Sequence, residues 1–268
     1  MKRRWRGGLT FALAFVVIAA VAGAYALWPR SSAAPYTPRD PALRAQPLYF
    51  YPATDTTKAA KAFVFFIGND IGFWGAHQEL ATRLAGEGYD VVGFDVKKFY
   101  DALPDENAAR EKAFADSVVL MISRARRELH ADALPVIVGG HSIGAEVASW
   151  VVSHTTIPGL AGALLIAPGA RGHLRVAVSD LAMSGEPEEA GSFSVAENIR
   201  AAAPAVRFAI VRGTDDRYRT ADSALLVAGG ARTDKWSVPW GGHSMSNIML
   251  AGPFVERAMV WLLGASGK

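Results

Sequence analysis

Ser142 stands in the run Gly140-His141-Ser142-Ile143-Gly144, a G-x-S-x-G spacing. The spacing alone is a weak signal. Its surroundings carry more, because β-branched "VIVGG" precedes it and amphipathic "IGAEVASWVVSH" follows. Strand, tight turn and helix in that order hold a serine in strained backbone with its hydroxyl above the sheet edge. The hydroxyl needs a base, and the base needs a carboxylate to orient it. "IVRGTDDRYR" offers Asp215 and Asp216 directly after one strand-like run, and "PWGGHSMSN" offers His243 directly after another. The acid commonly falls three positions after the glycine that ends its strand. Counting from Gly213, this prefers Asp216 and keeps Asp215 as the alternative. The Ile143 N–H, at the positive end of the helix after the serine, would be one oxyanion donor. The other should come from the loop after "AFVFFI", where Asn69 is the candidate and Asp70 its neighbour in reserve. The chemistry implied is acyl transfer to serine followed by hydrolysis.

Other chemistries find less support. His77, His130, His154 and His173 read as solvated or hydrogen-bonded residues. There is no H-E-x-x-H and no G-x-G-x-x-G after a first strand, so metal and dinucleotide sites are not expected, and no cofactor is needed. The chain has no cysteine, which excludes disulfides, thiolate metal sites and a cysteine nucleophile.

These residues need elements to position them. "QPLYFYP" alternates like an opening strand. "AFVFFI", "YDVVGFD", "LPVIVGG", "LAGALLIAPG" and "VRFAIVRG" are nearly continuous apolar runs, as strands covered on both faces require. "KWSVPW" is a last short strand. Between them, "GAHQELATRLAGEG", "ENAAREKAFADSVVLMISRARRELH" and "IGAEVASWVVSH" repeat at helical spacing, and "GPFVERAMVWLLG" closes the chain as a helix. The alternation predicts an α/β fold, a mostly parallel sheet with helices on both faces. Residues 170–204 break the rhythm and read as an irregular or hairpin insertion near the strand ends where ligands bind.

The N-terminus has a different character. "LTFALAFVVIAAVAGAYALW" (9–28) is free of charge and long enough to cross a bilayer, and Lys2, Arg3, Arg4 and Arg6 precede it. Residues 1–28 therefore read as an uncleaved signal anchor, or as a signal peptide ending at Ala24-Tyr25-Ala26. Pro/Ser-rich 29–45 reads as an extended linker, and 46–268 as the catalytic domain. The formal net charge of +3 rests on those four basic residues; without them the body carries −1. No nucleic-acid partner is expected, and "SRARREL" reads as a solvated helix face.

From about residue 46 onward the chain is similar to α/β-hydrolases. More narrowly, it resembles the VirJ/AcvB family of periplasmic bacterial virulence proteins. "FFIGNDIGFWGAHQELATRLAGEGYDVVGFDVKKFYDALPDENAAR" resembles that family's strand, Gly/Asp/Trp loop, helix and following strand. "GGHSIGAEV" resembles its elbow, usually G-Y-S-F-G-A-D-V. His141, Ile143 and Glu146 depart from the Tyr, Phe and Asp usual there, and "IGNDIGFW" is longer than the compact S-G-D-G-G-W. The resemblance implies hydrolysis of aminoacylated phosphatidylglycerol, such as the lysyl or alanyl ester, at the periplasmic face of the inner membrane. Asp70, Glu146 and His141 would then face the substrate, the two carboxylates pairing with a cationic aminoacyl group. A structural contact serves Glu146 equally well. Arg171 and Arg175 would meet a lipid phosphate or lie in a solvated loop. Alternatives are an esterase, lipase, thioesterase or peptidase of another acyl class, or a non-catalytic binding or chaperone module for exported proteins.

Overall fold

A computed structural model describes residues 34–177, 180, 185–243 and 254–264. The apolar run at 9–28 lies outside them. Among the described residues no helix is long and apolar enough to cross a membrane.

A seven-stranded sheet organises the domain. Its strands are β1 (Leu48–Tyr51), β2 (Phe63–Ile67), β3 (Asp90–Phe94), β4 (Val136–His141), β5 (Leu160–Ile166), β8 (Arg207–Gly213) and β9 (Thr233–Val238), in the order β1-β3-β2-β4-β5-β8-β9. Only β1 runs antiparallel, at the edge beside β3. The apolar runs alternate as a doubly covered sheet demands. Phe63, Phe65 and Ile67 face a core with Phe114 and Val118 of α4 (Asn107–Glu128) and Val147 and Val151 of α5 (Ile143–His154). Val64 and Phe66 face the opposite core, with Leu80 and Leu84 of α2 (Gly75–Gly86) and Met259 and Leu262 of α8 (Phe254–Leu262).

The parallel register gathers the site. Ile67 of β2 pairs with Gly140 of β4, so the loop at Asn69 and the turn at Ser142 leave the same sheet edge side by side. Gly213 of β8 pairs with Val238 of β9, which brings Asp216 and the loop carrying His243 together further along that edge.

Two regions differ from expectation. The described part of the expected linker is packed on the domain. Asp40 caps α1 (Pro41–Arg44), Leu43 is buried, and Glu128 of α4 accepts from the Tyr36 hydroxyl at 2.6 Å and the Asp40 N–H at 3.2 Å. Proline at the first helical position and an aspartate before it favour a helix start. Within 170–204, β6 (Arg171–His173) and β7 (Ser192–Ser194) form the hairpin, but α6 (Val195–Ala202) is a regular helix packed on α5 and on α7 (Asp222–Gly229). The short helix α3 (Val96–Tyr100) follows β3.

Candidate active site

Ser142 sits between β4 and α5 with φ 55° and ψ −126°. That backbone is costly for a residue with a Cβ and persists only when its neighbours enforce it. The glycines on either side show how. A Cβ on Gly140 would lie 2.2 Å from the Gly144 carbonyl oxygen, and one on Gly144 would lie 2.2 Å from that of Gly68. The turn therefore packs backbone on backbone, against itself and against the loop after β2.

The Ser142 hydroxyl lies 2.9 Å from His243 Nε2. His243 Nδ1 lies 3.2 and 3.3 Å from the two oxygens of Asp216. Serine, imidazole and carboxylate thus form one line, and Asp216 rather than Asp215 is the partner of His243. Asp216 has no exposed surface, and it accepts from Arg212 Nη1 at 2.7 Å and from the Tyr218 N–H at 2.9 Å. Burial by itself would raise its carboxyl. The hydrogen bond with His243, the Arg212 guanidinium and the Tyr218 N–H outweigh it and hold Asp216 at about 2. Arg212 is itself buried and also donates to Asp222 at 2.9 Å and to the Pro168 carbonyl. Sequence reasoning missed it, because "VRFAIVRG" holds two arginines, Arg207 and Arg212, and nothing in the run tells which one has buried counter-ions.

The loop carrying His243 is pinned from two sides. Toward β8, the Asp215 N–H donates to the Gly241 carbonyl at 2.8 Å and the Trp240 N–H to Thr214 Oγ1 at 2.9 Å. Toward β4, His141 Nε2 meets the His243 carbonyl at 3.0 Å. His141, expected on the substrate side, lines the pocket but is 2% exposed. Its Nδ1 lies 3.3 Å from Nε2 of His77, a fully buried residue that the sequence placed among ordinary histidines.

The expected oxyanion donors part company. The Ile143 N–H, at the start of α5, has no acceptor among the described residues. The Asn69 N–H is not free, because it donates to the Gly72 carbonyl at 3.3 Å as the loop closes on itself. The Asn69 side chain takes the Ile71 N–H on its Oδ1 at 3.2 Å, leaving the Nδ2 amide on the pocket wall without a partner among the described residues.

Ser142 opens into a pocket of about 850 Å³. Asp70, Glu146, Asp180, Glu186 and Asp215 all line it, with Arg217 as the cationic side chain of the described lining. Glu146 is buried and accepts from the Gly169 N–H at 2.9 Å, so it makes a structural contact while also facing the pocket. Burial pushes its carboxyl well up; the charges of Glu186 and Asp180 add to this, and the Gly169 N–H and Arg212 oppose it. Burial raises Asp70 as well, with Asp180 adding. Arg171 and Arg175 are half-buried and hydrogen-bonded within the protein rather than free in a solvated loop. Arg171 donates to the Pro187 carbonyl and Ser192 Oγ, and Arg175 to Asn107 Oδ1, so both brace the hairpin region. His173 is buried between Glu189 and Asp180, at 2.6 and 2.8 Å, and ties the hairpin to the pocket wall.

No protein-family model and no curated protein matches the chain. Solved structures do. The chain is similar to a Klebsiella pneumoniae protein assigned as a dienelactone hydrolase, with 14% identity and a TM-score of 0.57 over 88% of this chain and 98% of that one. It is similar to esterase 2 of Thermogutta terrifontis, with 17% identity and a TM-score of 0.53 over 81% and 89% of the two chains. A soluble variant of the Saccharomyces cerevisiae monoglyceride lipase aligns with 11% identity and a TM-score of 0.53 over 86% and 98%. At these identities the likeness establishes the fold, which is that of the α/β-hydrolases. The narrower VirJ/AcvB resemblance rests on the sequence stretches alone.

Proposed function

We propose that this chain is a serine ester hydrolase whose preferred acyl group carries a positive charge, with aminoacyl-phosphatidylglycerol as the candidate substrate. The observation that carries the reading is the hydrogen-bonded line Ser142, His243, Asp216 opening into an acidic pocket. Ser142 Oγ attacks the ester carbonyl and passes its proton to His243 Nε2. Asp216 holds the Nδ1 proton and stabilises the imidazolium. The Ile143 N–H and the Asn69 side-chain amide receive the oxyanion. His243 returns the proton to the leaving alkoxide, and water then cleaves the acyl-enzyme by the same relay. Among the structural neighbours, the Thermogutta esterase was crystallised phosphoramylated by tabun, which agrees with this reading.

The acid-rich wall suits an ammonium group on the acyl part. Glu146, Glu186 and Asp180 lie together around it, and a cation between them would relieve their mutual repulsion and draw Glu146 into its ionised form. The basic and apolar segment at 1–28 would keep the domain at the periplasmic face of the inner membrane, beside such a lipid.

The test gives the purified protein and its Ser142→Ala and Glu146→Gln variants lysyl- and alanyl-phosphatidylglycerol, then p-nitrophenyl acetate. Release of amino acid should vanish with Ser142→Ala. Glu146→Gln should lower kcat/KM about tenfold or more for the lysyl ester, while sparing the acetate. Cleavage of the acetate without release from either lipid would keep the hydrolase and discard the lipid. No turnover of any ester by a folded protein would refute the hydrolase and favour a binding module.

A further inference from the structure

Behind the base lies a second line of imidazoles with a fixed direction. The Trp74 N–H points at His77 Nδ1 at 3.2 Å. A backbone amide only donates, so His77 Nδ1 is the acceptor and the ring proton sits on Nε2. His77 Nε2 then donates to His141 Nδ1 at 3.3 Å. That leaves the His141 proton on Nε2, 3.0 Å from the His243 carbonyl, which only accepts. Amide at one end and carbonyl at the other fix both tautomers. A second proton on either ring would occupy Nδ1 and face a donor.

We infer that His77 and His141 form a neutral, tautomer-locked relay that positions the backbone of His243 and so sets the distance between base and nucleophile. The inference rests on the reading of His243 as the base. Its geometry has no slack at the far end, because α2 starts at Gly75 and packs His77 among Phe66, Phe73 and Trp74, with ring centroids 6.0, 5.5 and 5.8 Å away. At the near end the His141 ring lies 5.7 Å from that of His243. The titratable groups facing His141 are His77 from α2, His243 from the loop after β9 and Asp216 from the loop after β8. Burial, with the His243 charge adding, pushes His141 down to about 4 against the opposing His243 carbonyl and Asp216. His77 is pushed well below the usual range, by burial first and then by His141. Both rings therefore stay neutral throughout the range in which a histidine base works. His77 and His141 are positioning residues, because they act on the reacting atoms through the main chain of His243.

Two measurements test this. In wild-type protein, 15N NMR of the ring nitrogens from pH 5 to pH 8 should show His77 and His141 as neutral Nε2–H tautomers. An Nδ1 proton on either ring, or titration near 6.5, overturns the relay without any variant. The second measurement is the rate at which a fluorophosphonate probe labels Ser142, in wild type and in His141→Leu, His77→Leu and His141→Gln. The two leucine variants should slow labelling about 100-fold, the cost of a misplaced catalytic group. His141→Gln keeps one acceptor and one donor and should recover most of the rate. Labelling of wild type and leucine variants at one rate would overturn the relay and leave the hydrolase standing. Failure of folded wild type to label at all would overturn the hydrolase reading and the relay's positioning role with it.

Discussion

Arg212→Met removes the guanidinium that Asp216 and Asp222 share and leaves an aliphatic chain of similar length in its place. Asp222 keeps Lys235 Nζ at 3.1 Å, so the loss falls on Asp216, which stays fully buried. The descent of Asp216 from 3.8 to about 2 corresponds to about 2 kcal/mol in favour of the charged form. Arg212 supplies part of that against the burial that opposes it. Stripping one partner from a buried pair costs about 3–5 kcal/mol, because the other charge remains buried. The pH dependence carries a sign. In the wild type Asp216 is depressed, so its stabilisation is complete above about 3.8 and is lost as pH falls toward about 2. In the variant only the His243 hydrogen bond and the Tyr218 N–H still oppose burial, and the prediction is that burial prevails and lifts Asp216 above its unfolded value. It then destabilises the fold at neutral pH, and that penalty disappears as pH falls through the raised value. Urea unfolding of both proteins from pH 7 to pH 4 should show the gap between them widest near pH 7 and narrowing on acidification. The acid limb of kcat/KM should move to higher pH in the variant. A gap under about 1 kcal/mol at pH 7, or one that stays constant down to pH 4, would refute the reasoning.

The same linkage applies to His141 with the opposite charge type. Its imidazole is depressed from 6.5 to about 4, so folding loses up to about 3 kcal/mol between those values as the unfolded chain takes up the proton and the folded chain does not. His141→Gln should flatten that part of the stability–pH curve, measured by urea unfolding; an unchanged slope would show that another group produces it. Asn69→Ala should lower kcat about 10²–10³-fold with little change in KM, as loss of an oxyanion donor does. An unchanged kcat would return the second donor to the backbone.

The strands were legible because both faces of the sheet are covered. "AFVFFI" and "VIVGG" have no polar residue to suggest another fate. The order Ser142, Asp216, His243 could be read because each follows a strand, and the count from Gly213 separates Asp216 from its neighbour. Arg212 and the pair His77 and His141 lay beyond such reasoning. Arg212 needs its counter-ions on other loops to make sense, and the two histidines are 64 positions apart with no shared periodicity. Asn69 was the candidate donor of its loop, but which of its amides is free depends on how Gly72 turns the chain back. Helix α6 had a readable start, since Ser194 accepts from the Glu197 N–H at its N-terminus, a Ser-x-x-Glu signature passed over inside the insertion.

The contact between Gly144 and the Gly68 carbonyl leaves no gap for a side chain or a water between nucleophile and oxyanion loop. Gly68 directly follows β2 and the Ser142 turn directly follows β4, so the ladder from Phe63 to Ile67 sets where the two meet. In the proposed mechanism, the spacing of nucleophile and oxyanion loop is therefore set by the packing of the fold. The opposite wall is built differently. Glu186 and Pro187 belong to the stretch spanned by a two-stranded hairpin that pairs with no strand of the main sheet. If the chain is the proposed ester hydrolase, changes there would alter which acyl group fits while leaving Ser142, His243 and Asp216 in place. The molecule therefore divides into a part that substitution can only damage and a part that substitution can retune.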